Sequence, residues 1–253
     1  MISPGNREIS PAFVAVPPAE VLIASDYDGT IAPIVDDPAA AFPWAAAVEH
    51  LRALVPMVRA VAIISGRSEQ SLSRLLAVPG VILMGENGVG EITPTERARL
   101  REFEHRAMLM VARWPGVVVE AKPASVSVHF RARPLLAREL ERGLVKLIAG
   151  TGLAMVENRR VFDVQLKRGG KLRSMERLVR EWNPGAVFYA GDGRDDARVL
   201  RCLARLGRPA LAVGVASDEL PASILKSANT IVQGPPELAD LLGLLVRGWD
   251  RHL

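Results

Sequence analysis

Hydrophobic positions follow two alternating rhythms along the chain. Short, nearly unbroken apolar runs, "VLIAS" (21–25), "AVAIIS" (60–65) and "VILMG" (81–85), are separated by stretches with helical spacing: Trp44, Val48, Leu51, Leu54 and Val55, then Leu72, Leu75 and Leu76. Unbroken apolar runs mark strands buried on both faces, and strands alternating with amphipathic helices make parallel sheets. The rhythm resumes at "AVFYAGD" (186–192) and continues through a helix carrying Val199, Leu203 and Leu206. It then passes "LAVGVA" (211–216) and "NTIV" (229–232) and ends in the helix "PELADLLGLLVRGW". This pattern predicts an α/β chain with a doubly covered parallel sheet.

From about Thr95 to Gly169 the pattern changes to a helix (95–113), strands "GVVVEAK" and "SVSVHFR", a helix (134–149), and strands "LAMVEN" and "RVFDVQL". Val126, Val128 and Phe130 alternate with Ser127, His129 and Arg131, the period of a sheet with one apolar and one polar face. The expected organisation is a flexible Pro-rich leader (1–19), a discontinuous core (20–94 and 170–253) and an αββαββ insertion (95–169). The two crossings, near Thr93 to Arg97 and Leu166 to Gly170, are rich in turn formers or glycine and are the expected hinges.

Composition narrows the partners. The chain has 253 residues, 49% of them hydrophobic, ample for a core. A net charge of +4 comes with only 5% aromatics and no interleaving of basic and aromatic residues, so base stacking on nucleic acid is not expected. The arginines suit solvated helix faces, or local attraction of a small anion. The lone Cys202 excludes an intrachain disulfide, and its setting "RVLRCLARLG" is that of a packed thiol. With no run near ~18 apolar residues and no basic-then-apolar start, a cytoplasmic protein without a membrane partner is expected.

Ligands of open α/β sheets gather beyond the carboxyl ends of the strands. Those ends here carry "DYDGT" (26–30), "SGR" (65–67), "GENG" (85–88) and "GDGRDD" (191–196). Asp26 and Asp28, one residue apart, share a face at electrostatic cost. Carboxylates without histidine or cysteine favour a hard cation, most naturally Mg²⁺ bridging to a phosphate.

"DYDGT", "SGR", Lys171 ahead of an amphipathic helix and "GDGRDD", in that order, resemble the four motifs of the haloacid-dehalogenase-like (HAD) phosphatase superfamily. The resemblance implies a HAD-like Rossmannoid core with a C2-type cap, here the αββαββ insertion. It makes Asp26 the nucleophile, Asp28 the acid and base, and Ser65 and Lys171 the holders of the phosphoryl oxygens. Mg²⁺ would take the Asp26 carboxylate, the Asp28 backbone carbonyl and Asp192, with Asp196 orienting its shell. Thr30, Arg67 and Asn87, in the same loops, are expected substrate contacts.

The longer string "DYDGTIAPIVDDPAAA", "ISGR" and "VVVEAKPASVSVHFR" resemble trehalose-6-phosphate phosphatases from Val21 to about Leu245. In that family a Glu and a Lys of the cap bind sugar hydroxyls, positions filled here by Glu120 and Lys122, and His129 and Arg131 fall in an "H-aromatic-R" signature. A further cap Glu corresponds to Asp163, with Glu157 nearby in the preceding strand. Lys167 competes with Lys171, since "LKRGGK" offers both. Other readings of the same residues make Ser65 a helix cap, Asp195 a cap or a partner of the metal shell, Glu120 and Lys122 an exposed ion pair, and His129 structural.

The chain departs from the family at Asp163, at "GDGRDDA" where "GDDxTDE" is usual, and at Leu172 where Gly usually follows the lysine. The expected activity is Mg²⁺-dependent hydrolysis of trehalose 6-phosphate, a phosphoric monoester hydrolysis. The alternatives are another sugar phosphate or a glycosyl-phosphoglycerate as substrate, or a catalytically weak regulatory partner of a trehalose-phosphate synthase.

Overall fold

The computed structural model describes residues 9–250 except 36, 91, 159, 168, 169 and 217–220. Expectations on residues 1–8 and 251–253, on Asp36, and on Gly169 at the second crossing lie outside the described residues. In chain order the elements are α1 (Pro11–Val14), β1 (Val21–Ser25), α2 (Ala45–Leu54), β2 (Ala60–Ile64), α3 (Glu69–Leu76), β3 (Ile82–Met84) and α4 (Pro94–Val111). Next come β4 (Val118–Ala121), β5 (Ser125–His129), α5 (Ala137–Ile148), β6 (Leu153–Asn158), β7 (Val161–Leu166) and α6 (Lys171–Trp182). The chain finishes with β8 (Ala186–Gly191), α7 (Arg194–Leu203), β9 (Ala210–Ala216), α8 (Ala222–Leu225), β10 (Thr230–Gln233) and α9 (Gly234–Asp250).

Among the described residues the core sheet has six parallel strands in the order β10-β9-β8-β1-β2-β3. Val21 and Ile23 turn to one face, where they meet Leu51 and Leu54 of α2 and Leu238, Leu241 and Leu245 of α9. Leu22 and Ala24 turn to the other, against Met175 and Leu178 of α6 and Leu200 and Leu203 of α7. With helices on both faces, neither set of alternate positions tolerates a polar residue, which is why the runs are unbroken. All the strands point one way, so the loops after β1, β2, β3 and β8 share one rim.

The insertion forms an antiparallel sheet, β4-β5-β7-β6, with α4 and α5 on one face. Val126 and Val128 pack there with Leu100, Phe103, Leu140 and Leu144, and the Phe130 and Phe162 rings stack 4.8 Å apart. Thr93 starts α4 with a reciprocal cap: the Glu96 N–H donates to Thr93 Oγ1 at 3.2 Å, and the Thr93 N–H to Glu96 Oε2 at 3.0 Å.

Two expectations change. Residues 9–19 are not a loose leader: Phe13 of α1 is fully buried, its ring 6.3 Å from that of Trp249 on α9, with Ile9 and Val16 packed nearby. The prolines that suggested looseness start short helical turns, with Pro11 opening α1. Trp44 does not join the buried stripe of α2; it precedes the helix and is 46% exposed.

Candidate active site

β1 delivers Asp26 to the rim. The Asp26 N–H donates to the Ala190 carbonyl of β8 at 2.9 Å, and Ser25 Oγ donates to the Asp26 carbonyl at 2.7 Å, so the residue is fixed on both sides. The chain then reverses at Gly29, whose φ of +76° suits glycine. A Cβ at Gly29 would lie 2.2 Å from Asp192 Oδ2, so the turn closes directly onto the loop after β8.

Carboxylate oxygens of Asp26, Asp192 and Asp196, all buried, lie within 4.8 Å of one another. Lys171, the first residue of α6, places Nζ 2.8 Å from Asp26 Oδ1 and 2.9 Å from Asp196 Oδ1. Asp196 also accepts hydrogen bonds from Tyr189 Oη at 2.7 Å and the Gly193 N–H at 2.9 Å. Asp195 turns to the start of α6, accepting the Lys171 N–H at 3.3 Å, so it satisfies a backbone donor of α6 rather than capping its own helix.

Burial pushes the Asp26 carboxyl well above the usual carboxylate range; Lys171 pulls it down, while Asp196 and Asp192 push it further up. For Lys171 burial works against the charge, but Asp196 and Asp26 outweigh it and raise the ammonium above its ordinary value. One ammonium cannot balance three buried carboxylates, and an all-oxygen donor set short of positive charge fits a hard divalent cation. Asp28 stands outside this cluster.

The Asp28 carboxylate is held by Arg67, whose Nε and Nη2 both donate at 2.7 Å to its two oxygens. The guanidinium also lies 5.3 Å from the Tyr27 ring centroid. The paired acids are thus separated by their cations, Lys171 for Asp26 and Arg67 for Asp28, and the Arg67 fork expected for substrate is engaged by Asp28. Ser65 is buried, with Oγ accepting the Arg67 N–H at 3.2 Å. The cap of α3 is Ser68, not Ser65: the Ser71 N–H donates to Ser68 Oγ at 3.2 Å. Thr30 is fully buried and its hydroxyl has no partner among the described residues, so the structure does not bring it to the open site.

On the insertion, strand register sets Glu120, Ser127 and Asp163 side by side across β4, β5 and β7. Ser127 Oγ donates to Asp163 Oδ1 at 2.5 Å, and His129 Nε2 lies 2.8 Å from Glu120 Oε2. Lys122 Nζ sits 3.7 Å from Glu120 and 3.9 Å from Asp163. The Glu120 side chain is 50% exposed and that of Asp163 22%. Arg131 follows β5 and is exposed. Glu157 is drawn off to Arg194 of α7, so Asp163 is the acid that joins Glu120 and Lys122. Lys167 is exposed, whereas Lys171 is buried in the cluster.

Asn87 Nδ2 donates to Gln165 Oε1 of β7 at 3.1 Å, joining the core rim to the polar face of the inserted sheet. Sequence reasoning missed Gln165, Tyr189 and Arg194. Tyr189 carried a signal, because a hydroxyl inside an apolar strand needs a partner. Arg194 and Gln165 read as ordinary surface and strand residues.

A trehalose-phosphatase family model matches residues 24–229. The bifunctional trehalose-6-phosphate synthase/phosphatase of Thermoproteus tenax is 30% identical over 193 residues, 69% of this chain and 26% of that protein. The chain likewise covers 20% of a Zygosaccharomyces rouxii trehalose-phosphatase, to which it is 34% identical over 177 residues and 62% of its own length. It therefore spans well under two thirds of these relatives. Among solved structures, the C-terminal domain of the Candida albicans trehalose-6-phosphate phosphatase superposes with a TM-score of 0.70 at 22% identity, covering 90% of this chain and 92% of that one. That likeness establishes the fold, a HAD-like core with an inserted cap. With the motif loops on one rim and the family match running from β1 to the approach of β10, the chain belongs to the trehalose-phosphatase family.

Proposed function

We propose that this protein is a Mg²⁺-dependent phosphatase that hydrolyses trehalose 6-phosphate to trehalose and phosphate through an aspartyl-phosphate on Asp26. The observation that carries the reading is the buried Asp26 carboxylate, 2.8 Å from Lys171 and clustered with Asp192 and Asp196.

An Asp26 oxygen attacks phosphorus, forming the acyl-phosphate bond as the ester P–O bond breaks. Asp28 gives a proton to the departing sugar oxygen, then takes one from the water that attacks phosphorus and restores Asp26. Lys171 and Ser65 hold the non-bridging phosphoryl oxygens, so most of the catalysis is positioning and charge stabilisation. Asp26, Asp192 and the Asp28 carbonyl would hold Mg²⁺, with Asp196 supporting them; when bound, the ion neutralises the dianionic phosphoryl group.

Glu120, Lys122, Asp163 and Arg131 are the sugar-recognising groups of the cap. Charged groups set to meet hydroxyls discriminate by being left unpaired with the wrong substrate. A link to a trehalose-phosphate synthase fits the bifunctional relative. A purely regulatory role does not require the paired acids.

The test is release of inorganic phosphate from a panel of sugar phosphates with Mg²⁺ or EDTA, beside Asp26→Asn. Turnover of trehalose 6-phosphate ahead of other sugar phosphates, abolished by EDTA and by D26N, is expected. Preference for glucose 6-phosphate or a glycosyl-phosphoglycerate would overturn the substrate, and no metal-dependent turnover at all would overturn the enzyme. Glu120→Ala should raise KM for the sugar substrate but not for p-nitrophenyl phosphate.

A further inference from the structure

The exit from the core into the cap is strained. Glu86, Asn87 and Gly88 have φ of +49°, +54° and +72°, three consecutive residues in the left-handed region, of which only Gly88 enters it without steric cost. Such backbone persists only where its surroundings over-determine it. Here they do. The Glu86 N–H donates to the Arg67 carbonyl and the Asn87 N–H to the Ser65 carbonyl, each at 2.7 Å, so this turn carries the loop that presents Ser65. Ser174 Oγ of α6, one turn after Lys171, donates to the Asn87 carbonyl at 2.7 Å, and a Cβ on Gly88 would lie 2.1 Å from Ser174 Oγ.

The remaining tie comes from the cap. Gln165 lies next to the end of β7, immediately before the chain returns to the core, and is 4% exposed. Its Oε1 accepts a hydrogen bond from Asn87 Nδ2, and its amide lies 3.3 Å from where a Cβ of Gly170 would be, so this side chain lies against both the core turn at Asn87 and the end of the second crossing. A buried amide whose partner lies in another domain is costly to leave unpaired, so the cap is seated where this bond can form.

We infer that Gln165 is a positioning residue for phosphate binding: a cap side chain that, through Asn87, holds the Ser65 loop and the start of α6 in register. The inference rests on the phosphatase reading for the role of Ser65 and Lys171, but not on which sugar the substrate carries. It makes the seating of the cap a condition for a well-formed phosphate site, even for substrates too small to touch the sugar-recognising groups.

The experiment measures binding of inorganic phosphate to the full chain by calorimetry in Mg²⁺, with kinetics on p-nitrophenyl phosphate. Gln165→Leu, similar in size but without the acceptor, should weaken phosphate about tenfold and raise KM for the aryl ester about as much. Gln165→Glu keeps the acceptor and should stay within twofold of wild type. Asn87→Gly breaks the same bond from the core side while tolerating the left-handed backbone; it should reproduce the loss, and the double variant Q165L/N87G should lose no more. Melting curves monitor folding, and Asn87→Gly supplies the answer should Q165L melt early. Wild-type phosphate affinity in Q165L or N87G, equal impairment in Q165E, or a double variant showing the product of both losses would overturn the inference. Failure on trehalose 6-phosphate with this pattern intact would overturn the substrate alone.

Discussion

Asp26→Asn should make the metal-free protein more stable while removing the proposed phosphatase activity. At an effective dielectric constant near 20, the Lys171 ammonium at 2.8 Å attracts the Asp26 carboxylate by about 6 kcal/mol. Carboxylate oxygens of Asp192 and Asp196, within 4.8 Å, each repel it by at least about 3 kcal/mol. Attraction and repulsion nearly cancel, which leaves the desolvation of a buried carboxylate, several kcal/mol in proteins, largely uncompensated. Asparagine keeps the shape and removes the charge. Allowing for the lost ion pair to Lys171, a gain of about 1–3 kcal/mol is expected in EDTA, or roughly 2–4 °C in Tm for each kcal/mol.

Calorimetric melting of both proteins, in EDTA and across a Mg²⁺ titration, checks this. The wild type should gain about 2.7 kcal/mol at a free Mg²⁺ concentration of 100 Kd, and D26N clearly less. The pH dependence has a definite sign. Because burial, then Asp196 and Asp192 against Lys171, raise the Asp26 carboxyl, the native state keeps a proton that the unfolded chain has released. Metal-free stability therefore falls as pH rises from the unfolded carboxylate range toward the raised folded value, and D26N flattens that slope. A D26N protein less stable than wild type in EDTA would refute the reasoning, since it would mean that Lys171 already balances the cluster and no cation is demanded.

Gly29→Ala should cost only about 1–2 kcal/mol of stability through its positive φ, yet weaken Mg²⁺ binding at least tenfold, because the new methyl would sit 2.2 Å from Asp192 Oδ2. Calorimetric titration showing unchanged Mg²⁺ affinity would refute the close approach of the two loops. Phe13→Ala should destabilise the protein by about 3–5 kcal/mol in urea melts, as for a fully buried aromatic. A loss below about 1 kcal/mol would mean that residues 9–19 are the loose leader their prolines suggest.

That Asp26, Asp28, Ser65, Asp192 and Asp196 gather at one rim was legible in the chain, because each follows a strand or opens a helix in a parallel sheet, and the ends of such strands must share a rim; Lys171 rested on the resemblance, with Lys167 left as its rival. The αββαββ insertion was equally legible from the switch between continuous and alternating apolar positions. Phe13 was not, since one aromatic in a short Pro-flanked segment gives no periodicity to read. Trp44 misled for a related reason: it fits the helical spacing of α2 but stands before the first turn, where side chains are not yet committed to the buried stripe.

Local pattern and connectivity determined the sheet, its doubly buried strands, the inserted domain and the gathering of carboxylates at one rim. Those features depend on periodicity and strand direction, which are properties of neighbours in the chain. Tertiary structure alone decided which cation faces which acid: Lys171 rather than Lys167 at Asp26, Arg67 at Asp28, Lys122 at Glu120 and Asp163, and Arg194 at Glu157. It also placed Tyr189 on Asp196 and Gln165 on Asn87. Charge pairing and hydrogen bonding depend on distances of about 3 Å between residues as much as 145 positions apart, Lys171 and Asp26, which no spacing along the chain encodes.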